Sequence, residues 1–305
     1  MTTPRKRTAF DAEKENRGSS SVPGEEGIQV AIRMRPLNNK EADGRRVWRV
    51  LQKYNSIAQT TPHGKPLPDR AIGKTFFTFD KTFGEDSTTT QVYNDVVHGI
   101  ASSTVSGLNG TIFAYGQTSS GKTFTMMGGG LKQPGVHGII QMAAKDMFSQ
   151  IEANPTRVFL LRVSFIEIYN EEVKDLLVSG VRKIGKEQEN RRPGVYDNAN
   201  ESVVTDLETL ASILYAGVKH RSVESTERSS QCHTIFRITL ESRRRKETTD
   251  DDNGNESYSE DETASCRRCS FDDDEAVRVS TLNFVDLAGS ESAQHTGATG
   301  ERQKE

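Results

Sequence analysis

Apolar residues fall at alternate positions in "IQVAIRMRP", with Ile28, Val30 and Ile32 on one side, the period of a half-buried strand, and Pro36 ends the run. The aromatic-rich "TFFTFDKTF", Thr75 to Phe83, has the same alternation and predicts a second strand. In "TTTQVYNDVVHGIASSTV" the residues Val92, Val96 and Ile100 follow helical spacing, and Thr88 to Thr90 can supply the cap. "GTIFAYG" predicts a short buried strand leading into a glycine-rich loop, with a helix starting at Lys122. "RVFLLRVSFIEIYN", Arg157 to Asn170, is the longest strand signal in the chain. "DLETLASILYAGVKH" predicts a helix ending near Gly217, and "HTIFRITLESRRR" and "VRVSTLNFVDLAG" predict two further strands. Strands and helices alternate, so the expected class is α/β with a large central sheet.

Two stretches lack any such pattern. Residues 1–26 are polar and poor in aromatics, which predicts a disordered tail. Glu247 to Glu275 is acidic, serine-rich and nearly free of aliphatics, and it predicts a structureless insertion in a domain spanning 27–305. A hydrophobic content of 33% agrees with a chain that is solvated over part of its length.

Charge and cysteine usage narrow the partners. A net charge of −3 and a pI near 6.1 argue against bulk nucleic-acid binding. No run approaches the roughly 18 apolar residues of a membrane helix, and the N-terminus lacks the apolar core of a signal peptide. Three cysteines provide no disulfide framework, which predicts a reduced cytoplasmic or nuclear setting. Cys266 and Cys269 form a lone C-x-x-C without the second ligand pair that zinc requires.

The chemistry concentrates in "AYGQTSSGKTFTM", which contains Gly-x-x-x-x-Gly-Lys-Thr between a predicted strand and a predicted helix. Gly116 and Gly121 allow the tight turn that points successive N–H groups at phosphate oxygens. Lys122 reaches the β- and γ-phosphates, the Thr123 hydroxyl suits Mg²⁺, and the helix start adds its positive end. "NFVDLAGSE" is a strand ending in Asp-x-x-Gly, with Asp286 placed to support Mg²⁺ through water and the Gly289 N–H to sense a γ-phosphate. "ERSSQCHTIF" offers the Ser229 and Ser230 hydroxyls for Mg²⁺ or γ-phosphate.

Together these segments resemble the kinesin motor domain. "GQTSSGKTFTM", "SSQCHTIF" and "DLAGSE" are similar to its P-loop, switch I and switch II, in the same order, and "RMRPLN" and "LNGTIFAYG" to its flanking elements. "FLLRVSFIEIYNEEVKDLL" is most similar to the centromere-associated (CENP-E-like) class. The resemblance implies a P-loop NTPase fold with a mostly central mixed sheet flanked by helices. It further implies ATP and Mg²⁺ as cofactors, microtubule-stimulated ATP hydrolysis, and a microtubule partner in the cytoplasm, at the spindle or kinetochore. Homodimerisation would use a coiled coil that is not part of this sequence.

By position, Arg33, Arg35 and Pro36 would line the adenine end, with Tyr93 stacking on the base and Phe124 packing near it. Gln117, Thr118, Ser119 and Ser120 would join Gly116, Gly121, Lys122 and Thr123 around the phosphates. Ser229 and Ser230 would close on the γ-phosphate, with Ser230 on the metal; Gly289 would report the phosphate, and Glu291 would help order the attacking water. A basic stretch, Arg182, Lys183, Lys186, Arg191 and Arg192, stands where the family has a microtubule-facing loop.

The chain also departs from the family. Gln231 stands where switch I carries the arginine that pairs with the switch II glutamate, Thr226 replaces its leading asparagine, and the run from Arg221 to Ser229 is a few residues short. A glutamine can hydrogen-bond Glu291 but cannot form the charged, two-pronged pair, which predicts nucleotide binding with impaired hydrolysis. The sequence ends at "GATGERQKE", just past switch II, so it is read as a partial motor domain, incomplete at its C-terminal end. The competing expectation is a non-motile, nucleotide-dependent microtubule-binding module.

Overall fold

In the computed structural model of the protein the described residues are 27–39, 41, 47–61, 65, 67, 75–130, 133, 135–170, 172–178, 199–224, 231–245 and 277–291. The predicted tail, the acidic insertion, the basic stretch at 182–192, Thr226, Ser229 and Ser230 all lie outside the described residues.

The centre is a six-stranded mixed sheet. Its order is β6 (Gly110–Ala114), β11 (Arg278–Asp286), β10 (His233–Arg244), β7 (Arg157–Tyr169) and β8 (Glu172–Asp175), with β9 (Ser202–Val204) also on β7. β6 runs parallel to β11, and the other ladders are antiparallel. The long apolar signal at Arg157 is β7, which pairs with β10 over twelve positions from His233↔Ile168 to Arg244↔Arg157. Two smaller sheets flank it: β1 (Ala31–Arg33) parallel with β5 (Lys81–Phe83), and β2 (Trp48–Leu51), β3 (Ser56–Gln59) and β4 (Phe76–Thr78) as a meander. The α/β class with a central mixed sheet is therefore observed.

The main core lies between one sheet face and the helices. Alternate residues of the strands, Phe165, Phe236, Ile238, Leu240, Leu282 and Phe284, face Ile139, Ile140, Ala143, Met147, Leu210 and Leu214. Phe165 and Phe236 meet edge to face with centroids 5.4 Å apart. The helices are α1 (Thr89–Val92), continuing through a π-helical turn (Tyr93–Val97) into α2 (His98–Val105), then α3 (Lys122–Met127), α4 (Ile139–Glu152) and α5 (Leu207–Glu224). Thr88 caps α1 through a reciprocal pair with Gln91, as the threonine run predicts.

Four local expectations need correction. "TFFTFDKTF" is two strands rather than one: Asp80 breaks the run, and its carboxylate accepts the Val30 N–H at 2.7 Å. The first strand is only Ala31–Arg33, with Ile28 94% exposed ahead of it. "GTIFAYG" is the edge of the described central sheet rather than a buried strand, with Phe113 63% and Tyr115 77% exposed. The last helix does not stop near Gly217 but continues to Glu224. Gly217 is a packing glycine: a Cβ there would lie 2.2 Å from Phe165 Cδ1, so the helix needs hydrogen at that point to sit against the sheet. α4 was not anticipated, although Ile139, Ile140, Ala143, Ala144 and Met147 recur at helical spacing on its buried face.

Candidate functional site

β6 ends where the loop must turn sharply, and the backbone shows how. Gly116, Ser119 and Gly121 have φ of 154°, 66° and 98°. A Cβ on Gly116 would lie 2.6 Å from Ser120 Oγ, so glycine is what lets the loop close on itself. Lys122 donates to the carbonyls of Gly116 at 2.8 Å and Gln117 at 3.0 Å, which draws its ammonium across the mouth of the loop.

β11 lies beside β6, so the Asp-x-x-Gly segment necessarily reaches the loop. In register, Asp286 pairs with Ala114. The Leu287 and Ser290 N–H groups donate to the carbonyls of Ala114 and Gly116, at 3.2 and 3.1 Å. The Ala288 N–H donates to His233 Nδ1 at 3.1 Å, tying the same segment to the start of β10.

Two side-chain contacts cross between these segments. Thr123 donates its hydroxyl to Asp286 Oδ2 at 2.5 Å. Asp286 is buried, and its other oxygen, Oδ1, has no hydrogen-bond partner among the described residues. Thr118 donates both its backbone N–H, at 2.8 Å, and its hydroxyl to the two oxygens of Glu291. Those bonds, helped by the charge of Lys122, hold the Glu291 carboxyl below the usual range. Glu291 folds back over Gly289, where a Cβ would meet its carboxylate at 2.4 Å.

Behind Asp286 lies a buried charge network that sequence reasoning missed. Arg221 on α5 places Nη1 3.6 Å from Asp286 Oδ2 and Nε 3.2 Å from Glu167 on β7. The signal was available: Leu210, Leu214, Gly217 and Arg221 share one helical face, and an arginine on an apolar face requires carboxylate partners. This arginine ties α5 to Asp286 and to β7 at once.

The N-terminal pieces converge on the other side of the loop. Arg33 donates to the Thr125 and Thr89 hydroxyls at 2.9 and 3.1 Å and lies over the Phe124 ring at 5.9 Å, where burial lowers its pKa. Arg35 donates to the Ser119 carbonyl at 2.8 Å and forms a two-pronged pair with Glu41. Glu41 was not anticipated; through Arg35 its carboxyl is held at about 2. Pro36 is exposed next to this pair, and its carbonyl accepts from Arg35 at 2.9 Å. Tyr93 does not fit its expected place. It is 3% exposed within the core, and its hydroxyl donates to Asp146 at 2.6 Å, so no ring face is free to stack on a base.

An arrangement of this kind can grip a phosphate chain between Thr118 and Lys122, with a hydroxyl and a carboxylate ready for a hard cation. The residues present fit Mg²⁺: the Thr123 hydroxyl gives its proton to Asp286 and keeps its lone pairs, and the unsatisfied Asp286 Oδ1 suits a metal-bound water.

Comparison with known proteins agrees with this geometry. The family model for the kinesin motor domain matches residues 33–305. The rice (Oryza sativa subsp. japonica) kinesin-like protein KIN-7I is 43% identical over 92% of the chain, and human (Homo sapiens) centromere-associated protein E is 40% identical over 92%. The chain spans only 20% and 9% of those two proteins. A solved structure of a fast kinesin superposes with a TM-score of 0.66 and 25% identity, covering 90% of this chain and 68% of that one. The chain belongs to the kinesin motor-domain family.

Proposed function

We propose that this domain binds ATP with Mg²⁺ at the 116–124 loop, hydrolyses it, and couples phosphate loss to binding of microtubules. The observation that carries the reading is the pair of contacts, Thr123 to Asp286 and Thr118 to Glu291, by which the phosphate loop and the Asp-x-x-Gly segment are bolted together. A segment bonded to the loop by its own backbone and side chains must respond to whatever enters that loop.

Lys122 and the N–H groups of 117–123 hold the phosphates, while Arg33, Pro36 and Phe124 form the adenine end. Thr123 would hold Mg²⁺ directly, Asp286 through water, and Ser230 would complete the set. When bound, the ion neutralises charge on the phosphates. Phosphoryl transfer then depends mainly on positioning and charge stabilisation, with Ser229 and Gly289 at the γ-phosphate and Glu291 orienting the attacking water. Gln231 lowers turnover, because it puts a neutral amide where the family carries the arginine that pairs with the switch II glutamate. Among the described residues no helix is long and apolar enough to cross a membrane. Microtubules are the proposed track on membership of the kinesin motor-domain family, the spindle or kinetochore is the proposed setting on the likeness to centromere-associated protein E, and dimerisation through a coiled coil outside this sequence is proposed with them.

Equilibrium binding of a fluorescent ATP analogue with Mg²⁺ tests the first step. The wild type binds, and Lys122→Ala loses most of the affinity; equal affinity in both would place the nucleotide elsewhere.

A further inference from the structure

Glu291 presents both carboxylate oxygens to one residue of the phosphate loop. Oε2 accepts the Thr118 N–H at 2.8 Å and Oε1 accepts the Thr118 hydroxyl. That geometry is the one a phosphate group would use: two oxygens of an anion on a backbone N–H and an adjacent hydroxyl. The contact is not incidental to the chain path. Ser290 donates to the Gly116 carbonyl, and with no side chain at Gly289 the Glu291 carboxylate lies directly over that residue as it reaches the loop. Lys122, whose ammonium spans the same mouth, adds a favourable charge.

By the family resemblance, the switch I position that pairs with Glu291, and so would compete for it, is 231. It is an uncharged glutamine, and a neutral amide attracts a carboxylate less strongly than does a charged N–H fork. We propose that in this chain Thr118 serves as the latch partner of Glu291, and that Glu291 competes with nucleotide phosphate for the Thr118 N–H. Nucleotide entry and release of the switch II glutamate are then one exchange: each phosphate oxygen that takes the N–H displaces a carboxylate oxygen. The inference rests on the ATP-binding reading given above and adds to it an internal competitor specific to the Thr118–Glu291–Gln231 set.

The exchange predicts that weakening the Glu291 contact strengthens nucleotide binding. Because Glu291 finds water after displacement, the net gain expected is about tenfold in affinity. The test is equilibrium binding of fluorescent ATP and ADP, each with Mg²⁺, to the wild type, Glu291→Gln, Gln231→Arg and the double variant, with thermal melting to confirm that each is folded. Glu291→Gln removes the charge, and Gln231→Arg offers Glu291 a stronger partner. Both are expected to bind ATP about tenfold more tightly than the wild type, and the double variant no more tightly than either single one, since both act on one contact. Thr118→Val, which keeps the N–H and the shape but loses the hydroxyl, shifts affinity in the same direction by a smaller factor. Unchanged or weaker binding in folded Glu291→Gln and Gln231→Arg overturns the competition while leaving the ATP reading intact. No binding by any of the chains overturns the ATP reading and this inference with it.

Discussion

Thr123 and Asp286 are 163 positions apart in sequence, yet the threonine hydroxyl lies 2.5 Å from the aspartate carboxylate. The contact exists because β6 and β11 are parallel neighbours, so the loop that follows one and the turn that follows the other emerge at the same edge. Strands running in the same direction release their following loops side by side, which is why such edges collect binding sites.

Replacing Asp286 with Asn keeps the shape but removes the charge that receives Thr123 and orients metal-bound water. Partners of this kind typically contribute 10–100-fold to metal affinity or activity. The Mg²⁺ concentration needed for half-maximal nucleotide retention therefore rises by about that factor. Mg²⁺ titration of fluorescent ADP release measures it, and an unaltered Mg²⁺ dependence would remove Asp286 from the metal site.

Arg221 lies between two buried carboxylates, so Arg221→Ala leaves Glu167 and Asp286 facing each other without their shared cation. Breaking a buried ion pair from one side costs about 3–5 kcal/mol. The expected result in urea unfolding is a loss of that size, part of which is recovered in the neutral pair Arg221→Met with Glu167→Gln. A loss below about 1 kcal/mol, typical of exposed pairs, would mean that the network is solvated.

Gly217 tests the packing of α5 on the sheet. Ala has the better helix propensity by about 1 kcal/mol, so an exposed Gly217 would give a more stable protein on substitution. Its Cβ would instead lie 2.2 Å from the Phe165 ring, and overpacking of this kind costs about 1–3 kcal/mol. Gly217→Ala is expected to lower the melting temperature, and a rise would show that the helix does not press on Phe165.

The Arg35–Glu41 pair gives a pH signature. The Glu41 carboxyl is depressed from 4.5 to about 2, chiefly by its hydrogen bond from Arg35. A group whose folded pKa is lowered stabilises the fold above its unfolded value and loses that contribution as pH falls through the folded one. The pair's contribution is thus complete above about pH 4.5 and fades towards pH 2. In Glu41→Gln this component of the acid loss should disappear, as seen in stability measured across that window. Identical acid profiles would show that the pair is open in solution.

The sequence revealed the class, the long β7–β10 ladder and the phosphate loop, because each is local: period-2 alternation, or glycines at fixed offsets. It was less informative where geometry depends on distant neighbours. Tyr93 reads as an available aromatic, but the π-helical turn buries its ring against α4 and gives its hydroxyl to Asp146. Gly217 reads as a helix end, and only the ring of Phe165, 52 positions earlier, shows why it is glycine. Phe113 and Tyr115 read as core, yet they flank an edge strand. Arg221 and Glu41 carry no motif; their partners identify them. The two switch I serines, Ser229 and Ser230, fall outside the described residues, so their place in the site remains the one implied by the family.

The most direct test of the whole account is phosphate release from ATP by this domain, measured with and without microtubules, beside Gln231→Arg. The wild type should release phosphate slowly and faster with microtubules, and Gln231→Arg should be faster still by at least about tenfold, since arginine contributions in related phosphoryl-transfer sites reach ~10³–10⁵. Equal, fast rates in both would show that Gln231 imposes no loss. Absence of release from either protein, with or without microtubules, would contradict the proposed ATPase.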